Sequence, residues 1–332
     1  MIITRTPFRI SFFGGGTDHP LWYREHGGAV ISTSIDKYCY VSCRYLPPFF
    51  KYKYRIVYSK NETVKNIDKI KHPVVRECFK FMNINKGLEI HHDGDLPARA
   101  GLGTSSSFTV GLLHALYALT GRIVGKKKLS YEAIEIEQSR MKETVGSQDQ
   151  VAASFGGFNK IEFLRNGEIN VNPIILPQER LRSFKNHLML FFTGFTRYAP
   201  AIEREKLNNF SKKRKELEMI SQMVDESLKI LNGGKLESFG RLLDDSWKLK
   251  KSLSIKVSGP YIDRIYEKAL KAGALGGKLL GAGGGGFIIF FVKPEHQSSV
   301  RKKLAKLLEI PFNLEGSGSQ VVFYKPEYLY DS

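Results

Sequence analysis

One turn of the sequence combines two glycines with a run of hydroxyl side chains. Residues 97–107 read Pro-Ala-Arg-Ala-Gly-Leu-Gly-Thr-Ser-Ser-Ser, and an apolar helical pattern follows. Glycine lets a backbone approach a ligand closely, and a helix that begins at such a turn directs free N–H groups toward it, which favours phosphate. The segment is not a Walker A loop, since Gly-x-x-x-x-Gly-Lys-Ser/Thr is absent. The alternative is a plain loop with Thr104 or Ser105 as the helix N-cap.

Two acidic residues could divide the work of a transfer reaction. Glu137 lies late in one predicted helix, and Asp149 lies near the start of the next. If the fold brings them to one site, one carboxylate would hold Mg²⁺ and the other would orient or deprotonate a hydroxyl. The alternative for Glu137 is a solvated helix acid, and the pattern alone favours that alternative.

Two more glycine-rich segments could contact a ligand. Arg9 precedes Gly14-Gly15-Gly16-Thr17-Asp18, where the Asp18 carboxylate could accept hydrogen bonds from adjacent sugar hydroxyls or close a turn. Residues 278–287 match Gly-x-Gly-x-x-Gly, but a strand pattern follows them rather than a helix. A Rossmann site is therefore disfavoured, and close packing of this backbone against a ligand or another loop is favoured.

Hydrophobic patterns predict the elements that position these residues. Strands are predicted at 2–13, 29–45, 52–59, 88–92, 158–164, 187–193, 278–282, 287–292 and 320–324. Helices are predicted at 72–82, 105–119, 131–141, 147–154, 201–231, 236–251, 261–271 and 297–308. This order predicts an α+β chain with a first domain at 1–180 and a second, with an antiparallel sheet, at 181–332.

Composition narrows the class of protein. The 332 residues are 42% hydrophobic, as in a globular chain with a core, and carry a net charge of +18. No long apolar run, secretory signal, zinc site or disulfide framework is evident, so a cytoplasmic setting is expected. The basic runs 126–128 and 212–215 are typical of solvated faces, and we expect neither nucleic acid nor a membrane as a partner.

Taken together, segments 7–18, 97–107 and 278–287 resemble the three signature motifs of the GHMP kinase superfamily, over nearly the whole chain. The resemblance implies a ribosomal-protein-like N-terminal domain, a ferredoxin-like C-terminal domain and an active site between them. Within the superfamily, the sequences Arg-Ile-Ser-Phe-Phe-Gly-Gly-Gly-Thr-Asp and Gly-Ser-Gln-Asp-Gln are most similar to heptose-phosphate kinases. Related L-fucose kinases share much of the sequence of these segments.

The resemblance also implies roles for individual residues. Asp149 would be the catalytic aspartate with Arg9 beside it, and Glu137 and Ser105 would bind Mg²⁺. The ATP phosphates would lie on a loop formed by Pro97, Arg99, Ala100, Gly101, Leu102, Gly103, Thr104, Ser105, Ser106 and Ser107. The sugar would contact Gly15, Gly16, Thr17, Asp18, Gly283 and Gly284.

The implied reaction is transfer from ATP to the anomeric hydroxyl of D-glycero-D-manno-heptose 7-phosphate, in the synthesis of nucleotide-activated heptose. L-fucose or another sugar is the alternative acceptor, and a sugar-sensing protein without activity is the alternative outside enzymes. A phosphorylated acceptor needs a second anion site. The candidates are the stretch 37–60, with Arg44, Lys51, Lys53 and Arg55, and also Arg99. The oligomeric state is left open, with a homodimer among the options.

Overall fold

The computed structural model describes residues 1–47, 49–196, 205, 210 and 212–326. Its strands are β1 Ile2–Phe13, β2 Gly28–Tyr45, β3 Tyr54–Val57, β4 Asn61–Val64, β5 Leu88–Gly94, β6 Phe158–Phe163, β7 Ile169–Pro173, β8 Leu188–Phe192, β9 Ala274–Leu279, β10 Phe287–Val292, β11 Leu308–Glu309, β12 Leu314–Glu315 and β13 Gln320–Tyr324. Its α-helices are α1 Pro20–His26, α2 Pro73–Phe81, α3 Thr104–Leu119, α4 Lys126–Ile134, α5 Gln148–Phe155, α6 Gln178–Asn186, α7 Arg214–Gly233, α8 Leu236–Ser252, α9 Pro260–Lys271 and α10 Gln297–Lys303.

The long strands β1 and β2 form the centre of the first sheet. They pair antiparallel from Ile2 opposite Cys43 to Phe13 opposite Ile31. Among the described residues, the sheet runs in the order β13-β1-β2-β5-β3-β4, with β6 and β12 also paired to β2 and β7 to β6. Helix α3 packs across β1 and β2. It is buried almost all round, because its residues are apolar or small along nearly the whole length.

The second sheet is antiparallel, in the order β11-β8-β10-β9. Strand β10 is buried along its whole length, as its unbroken apolar sequence Phe-Ile-Ile-Phe-Phe-Val requires. Helix α8 packs against β9 and also contacts β1 of the first sheet. The α+β architecture with two sheets agrees with the expected fold class.

A cluster of aromatic rings joins the two halves of the molecule. Phe12, near the end of β1, makes edge contacts with Phe184 on α6 at 5.6 Å and Phe239 on α8 at 5.5 Å between ring centroids. Nearby, the buried Lys278 on β9 donates a hydrogen bond from Nζ to the carbonyl of Phe12 at 2.7 Å. The end of β1 and the glycine turn after it are therefore held against the C-terminal half.

The last strand was predicted correctly in type but assigned to the wrong sheet. Strand β13 pairs with β1, and β12 pairs with β2, so both complete the first sheet rather than the second. The hydroxyl of Ser319 bonds to Thr6 at 2.9 Å and to His114 at 3.0 Å, which fixes this return of the chain. Pairing also covers an edge of β1 that would otherwise be open. The division into 1–180 and 181–332 stays a prediction.

Other differences are local. The helix predicted at 131–141 is α4 followed by a π-helix at Glu135–Arg140. The structure also contains elements that were not predicted, namely α1, α6, β4, β7, β11 and β12. Of the helix predicted at 201–231, the part from Arg214 is confirmed, and residues 201–204, 206–209 and 211 lie outside the described residues. In the described part of the chain, every helix is too short or too polar to cross a lipid bilayer.

Candidate active site

The glycine turn before α3 has the backbone that its sequence predicts. Gly101 has φ of +86° and Gly103 has φ of +72°, both in the left-handed region. Gly103, not Thr104 or Ser105, is the N-cap of α3, and the cap makes no side-chain hydrogen bond. The Thr104 hydroxyl instead accepts a hydrogen bond from the backbone N–H of Arg99 at 3.0 Å and so ties the turn together. The first N–H groups of α3, which have no partner within the helix, adjoin the turn.

The third glycine segment packs against this turn. A methyl group added at Gly281 would overlap the backbone of Gly101, and one added at Gly286 would overlap Ala100. The N–H of Phe287 donates to the carbonyl of Ala100 at 3.1 Å. Residues 278–287 thus pack directly against the glycine turn, and the prediction that this segment packs closely against another loop is confirmed.

Gly283 and Gly284, expected to contact the sugar, lie against the connection between α8 and α9. The N–H of Gly284 donates to the carbonyl of Val257 at 2.9 Å. A methyl group at Gly283 would come within 2.7 Å of the same carbonyl oxygen. The described contacts of these two glycines are therefore with the protein's own backbone.

Arg9 and Asp149 form a two-pronged ion pair beside the turn. Nε of Arg9 lies 2.7 Å from Oδ1 of Asp149, and Nη2 lies 2.7 Å from Oδ2. The remaining nitrogen, Nη1, donates to the carbonyl of Gly101 at 2.8 Å. Two parallel hydrogen bonds of this kind fix the guanidinium and carboxylate planes relative to each other, and they are stronger than a single charged contact.

Asp149 lies in the first turn of α5 and keeps access to solvent. Its side chain is 26% exposed, whereas that of Arg9 is 5% exposed. A methyl group placed on Gly103 would lie 3.2 Å from Cγ of Arg9 and 3.4 Å from Cγ of Asp149. Only glycine at position 103 leaves this space open between the turn and the carboxylate.

Glu137 is a buried acid on the π-helix. Its Oε1 accepts from the Thr109 hydroxyl at 2.6 Å, and its Oε2 accepts from the Ser106 hydroxyl at 2.9 Å and from Nε2 of Gln150. Burial raises the pKa of Glu137 to about 7, although these three hydrogen bonds lower it. The interpretation of Glu137 as a solvated acid is therefore wrong, because its carboxylate is directed at α3. Single π-turns are frequent at functional sites.

The surroundings of Glu137 fit a divalent cation. Among the described residues, no Lys or Arg forms an ion pair with this buried carboxylate, and Glu143 adds a further repulsive charge. The described part of the chain also contains no cluster of three His, Cys, Asp or Glu that would hold a metal alone. Mg²⁺ is commonly bound by one or two carboxylates together with substrate phosphates, and this donor set matches that pattern.

The serine beside Glu137 is Ser106, not Ser105. Ser106 is buried and bonded to the carboxylate, whereas Ser105 is exposed at the start of α3. Thr109 and Gln150 were also not predicted as partners of Glu137. A signal existed for Thr109, because residues 106 and 109 lie three apart and so share one face of the helix.

The turn after β1 carries the remaining predicted sugar contacts. Gly14 and Gly16 have φ of +83° and +105°. The Thr17 hydroxyl is buried and donates to the carbonyl of Gly14 at 2.8 Å, so it supports the turn. Asp18 is 5% exposed and accepts the N–H of Gly16 at 2.9 Å. Gly15 lies near the side chain of Gln148, one residue before Asp149.

Two of the cations proposed for a second anion site, Arg44 and Arg55, lie away from the Arg9–Asp149 pair, whereas Arg99 belongs to the glycine turn. Arg44 and Arg55 both pair with the buried Glu89, at 2.6 and 2.9 Å. Burial alone would raise the pKa of Glu89, but hydrogen bonds from His91 and Arg44 bring it below its ordinary value. Cys43 lies opposite Ile2, and Arg9 is seven residues further along β1. At ~3.4 Å per residue this separates the backbone of Arg44 from that of Arg9 by roughly 24 Å, so Arg44 lies far from the Arg9–Asp149 pair.

A turn rich in backbone N–H groups, with a carboxylate held by arginine across it, is suited to phosphoryl transfer, in which catalysis is mostly positioning and charge stabilisation. The family comparisons agree. The N-terminal domain of GHMP kinases matches residues 67–157, and the C-terminal domain matches residues 224–310. The chain belongs to the GHMP kinases, which use ATP as phosphate donor, and is a phosphotransferase acting on a sugar hydroxyl.

The proteins similar to this chain include several sugar kinases. The D-glycero-alpha-D-manno-heptose 7-phosphate kinase of Campylobacter jejuni is 32% identical over 92% of this chain and 93% of its own. The galactokinase of Pyrococcus furiosus is 26% identical over 92% of this chain and 94% of its own. A solved D-glycero-D-manno-heptose 1-phosphate kinase from Bacteroides thetaiotaomicron superposes with a TM-score of 0.79, at 25% identity over 96% of this chain and 98% of that one.

Proposed function

We propose that this chain transfers the γ-phosphoryl group of ATP to the anomeric hydroxyl of D-glycero-D-manno-heptose 7-phosphate, giving ADP and the 1,7-bisphosphate. The observation that carries the chemistry is the Arg9–Asp149 pair beside the glycine turn. The choice of acceptor is supported by the similarity to the Campylobacter kinase over almost the whole of both chains.

The donor phosphates would lie across the turn at 101–103 and the first turn of α3. Backbone N–H groups and the positive end of the helix dipole meet there, and both favour anions. The carbonyl of Gly101 accepts a hydrogen bond from Arg9, so it would not be a free acceptor facing the phosphates. The backbone of this turn therefore presents donors rather than acceptors to the donor substrate.

Asp149 would align the acceptor hydroxyl. Arg9 holds the carboxylate in one orientation and leaves about a quarter of the side chain exposed. Because the transition state of phosphoryl transfer is loose, Asp149 takes the hydroxyl proton late and contributes mainly orientation. Arg9 would also face the charge that develops on the transferring group.

Glu137 and Ser106 would hold Mg²⁺ next to the first turn of α3. The resemblance gives Ser105 as the serine ligand instead. When bound, the ion would neutralise negative charge on the phosphate oxygens. The side chains of Thr109 and Gln150 hold the Glu137 carboxylate in one orientation. This arrangement needs only one carboxylate, since phosphate oxygens and water supply the other ligands.

The test is an ADP-release screen of the purified protein with free and phosphorylated sugars. We expect turnover with heptose 7-phosphate and a product with a new anomeric phosphate signal in ³¹P NMR. Heptose 1-phosphate, L-fucose and galactose serve as competing acceptors. Turnover with one of these and none with heptose 7-phosphate would reassign the acceptor. ADP release that is the same without any sugar present would argue against sugar phosphorylation as the activity.

A further inference from the structure

We propose that Asp18 is a positioning residue for Asp149, acting through the N-terminal turn of α5. The inference rests on the proposed function, because it concerns the aim of the carboxylate that would align the acceptor. The resemblance to galactokinase-type members predicts only that Asp18 contacts the sugar. The contacts of Asp18 in this chain indicate a second role.

Asp18 is bonded on both sides to backbone. Its Oδ1 accepts the N–H of Gly16 at 2.9 Å, within its own turn. Its Oδ2 accepts the N–H of Gln148 at 3.4 Å, and its main-chain carbonyl accepts the N–H of Ser147 at 2.9 Å. Ser147 is the N-cap of α5 and Gln148 its first residue. Asp18 therefore satisfies N–H groups that the helix leaves without internal partners.

Side chains other than Asp18 also bind the segment that precedes α5. Residues 141–147 connect the π-helix to α5 without regular structure. Gln138 binds this segment from one side, donating from Nε2 to the carbonyl of Val145 at 3.0 Å and to the hydroxyl of Ser147 at 3.1 Å. Asp18 binds it from the other side. The Tyr23 hydroxyl lies 3.4 Å from the Ser147 hydroxyl and supports the same residue. Asp18 is the only one of these three side chains that belongs to the turn after β1.

Gly146 shows how closely Asp18 and this segment fit. A methyl group added at Gly146 would overlap the carboxylate of Asp18, and no positive φ explains the glycine. The glycine is therefore required by the neighbouring side chain and not by the backbone conformation. Any side chain at 146 must displace either the Asp18 carboxylate or the start of α5.

The consequence falls on Asp149, the residue directly after Gln148. A shift of about 1 Å in a catalytic group can cost roughly 10²-fold in rate. Because Asp18 also belongs to the turn predicted to contact the sugar, it joins that turn to the position of the catalytic carboxylate. A carboxylate oxygen that accepts one hydrogen bond can accept a second, so contact with a sugar hydroxyl is compatible with this role.

The first test is Asp18→Asn, assayed with the sugar that the wild-type chain turns over. The amide keeps the size of the side chain but replaces one acceptor with a donor, which would face a backbone N–H. We expect kcat to fall about 10²-fold, while KM for the acceptor and for ATP stays within about threefold. If KM for the acceptor rises and kcat is retained, Asp18 is a sugar ligand only and the proposal fails.

The second test is Gly146→Ala, which deletes no functional group. It should reproduce the loss in kcat with little change in KM. Gly125→Ala is the matched control, since a methyl group there meets nothing within 4 Å and the glycine is exposed. Wild-type kcat in Gly146→Ala would overturn the proposal even if Asp18→Asn does not fold. Circular dichroism and thermal melting identify the folded variants.

Failure of this inference is distinguishable from failure of the proposed function. The acceptor screen on the wild-type chain tests the function without any variant. The kcat and KM values of the two variants test only the role of Asp18, whichever sugar the screen selects.

Discussion

Arg9 holds the two carboxylate oxygens of Asp149 at 2.7 Å each and the carbonyl of Gly101 at 2.8 Å. One guanidinium thus joins the Asp149 carboxylate to the turn that would carry the donor phosphates. The backbone N–H of Arg9 also donates to the carbonyl of Leu102 at 3.0 Å. The distance between acid and turn is therefore set by β1, the strand at the centre of the first sheet.

Replacing Arg9 with lysine should break part of this connection between the Asp149 carboxylate and the turn. A single ammonium cannot reproduce a planar fork with three separate bonds. We expect kcat/KM of Arg9→Lys to fall about 10²–10³-fold, in line with the loss of a preorganised charged donor. The control is Arg44→Lys, which weakens a similar pair with Glu89 away from the site and should leave kcat unchanged. Equal activity in both variants would argue against the role of Arg9.

Ser106 and Ser105 offer a direct comparison of adjacent hydroxyls. Only Ser106 bonds to the Glu137 carboxylate, so Ser106→Ala removes a group from the predicted cation site. We expect the Mg²⁺ concentration for half-maximal rate to rise about tenfold in Ser106→Ala, as for loss of a partner next to a metal ligand. Ser105→Ala should change it less than about twofold. The reverse ranking would restore Ser105 as the ligand that the resemblance implied.

The pH dependence of Mg²⁺ binding should reflect Glu137. Burial raises its pKa to about 7 from an ordinary value of 4.5, and the cation binds the ionised form. The Mg²⁺ concentration for half-maximal rate should therefore fall as pH rises from 6 to 8, and Glu137→Gln should abolish that dependence. A flat profile in the wild-type chain would contradict the assignment.

The raised pKa of Glu137 also affects the free energy of unfolding of the metal-free protein. Because the folded state favours the protonated carboxyl, the contribution of Glu137 is fully present below pH 4.5 and is lost as pH rises toward about 7. In Glu137→Gln this part of the pH dependence should disappear. Urea titrations at several pH values in the presence of a chelator measure the difference. Parallel stability curves for the two proteins would show that Glu137 does not titrate in this range.

Gly103→Ala should damage the site beyond the strain it adds to the backbone. The added methyl group would press on both Arg9 and Asp149, at 3.2 and 3.4 Å. Gly121→Ala is the matched control, because Gly121 has a similar φ of +69° but open space around it. Both variants should lose roughly 1 kcal/mol of stability from the left-handed backbone, whereas only Gly103→Ala should lose kcat. A comparable loss of kcat in Gly121→Ala would mean that strain alone explains the effect.

Local sequence patterns predicted the parts of the site that depend on backbone. The turn at 101–103 and the start of α3 follow from glycine, hydroxyl and apolar spacing within eleven residues. The third glycine segment was correctly predicted to pack closely, because a strand pattern follows it. In each case the physical requirement lies within one short segment, so periodicity and residue type are sufficient.

Contacts between distant segments were not predictable in this way. The π-helix turns Glu137 toward α3, and nothing in the acidic pattern of 132–137 distinguishes it from Glu132 and Glu135 beside it. The choice of Ser106 over Ser105 depends on where α3 begins, and one residue of difference rotates a side chain by about 100°. The pairing of β13 with β1 joins the two ends of the chain, which strand propensity cannot show.

The central claim is that the Asp149 carboxylate, held by Arg9, aligns the acceptor hydroxyl. The most direct measurement is kcat of Asp149→Asn with the sugar that the wild-type chain turns over, together with KM for both substrates and the melting temperature. The account predicts that kcat falls about 10²–10⁴-fold while the variant stays folded and binds both substrates. Turnover close to wild type in a folded Asp149→Asn protein would contradict it.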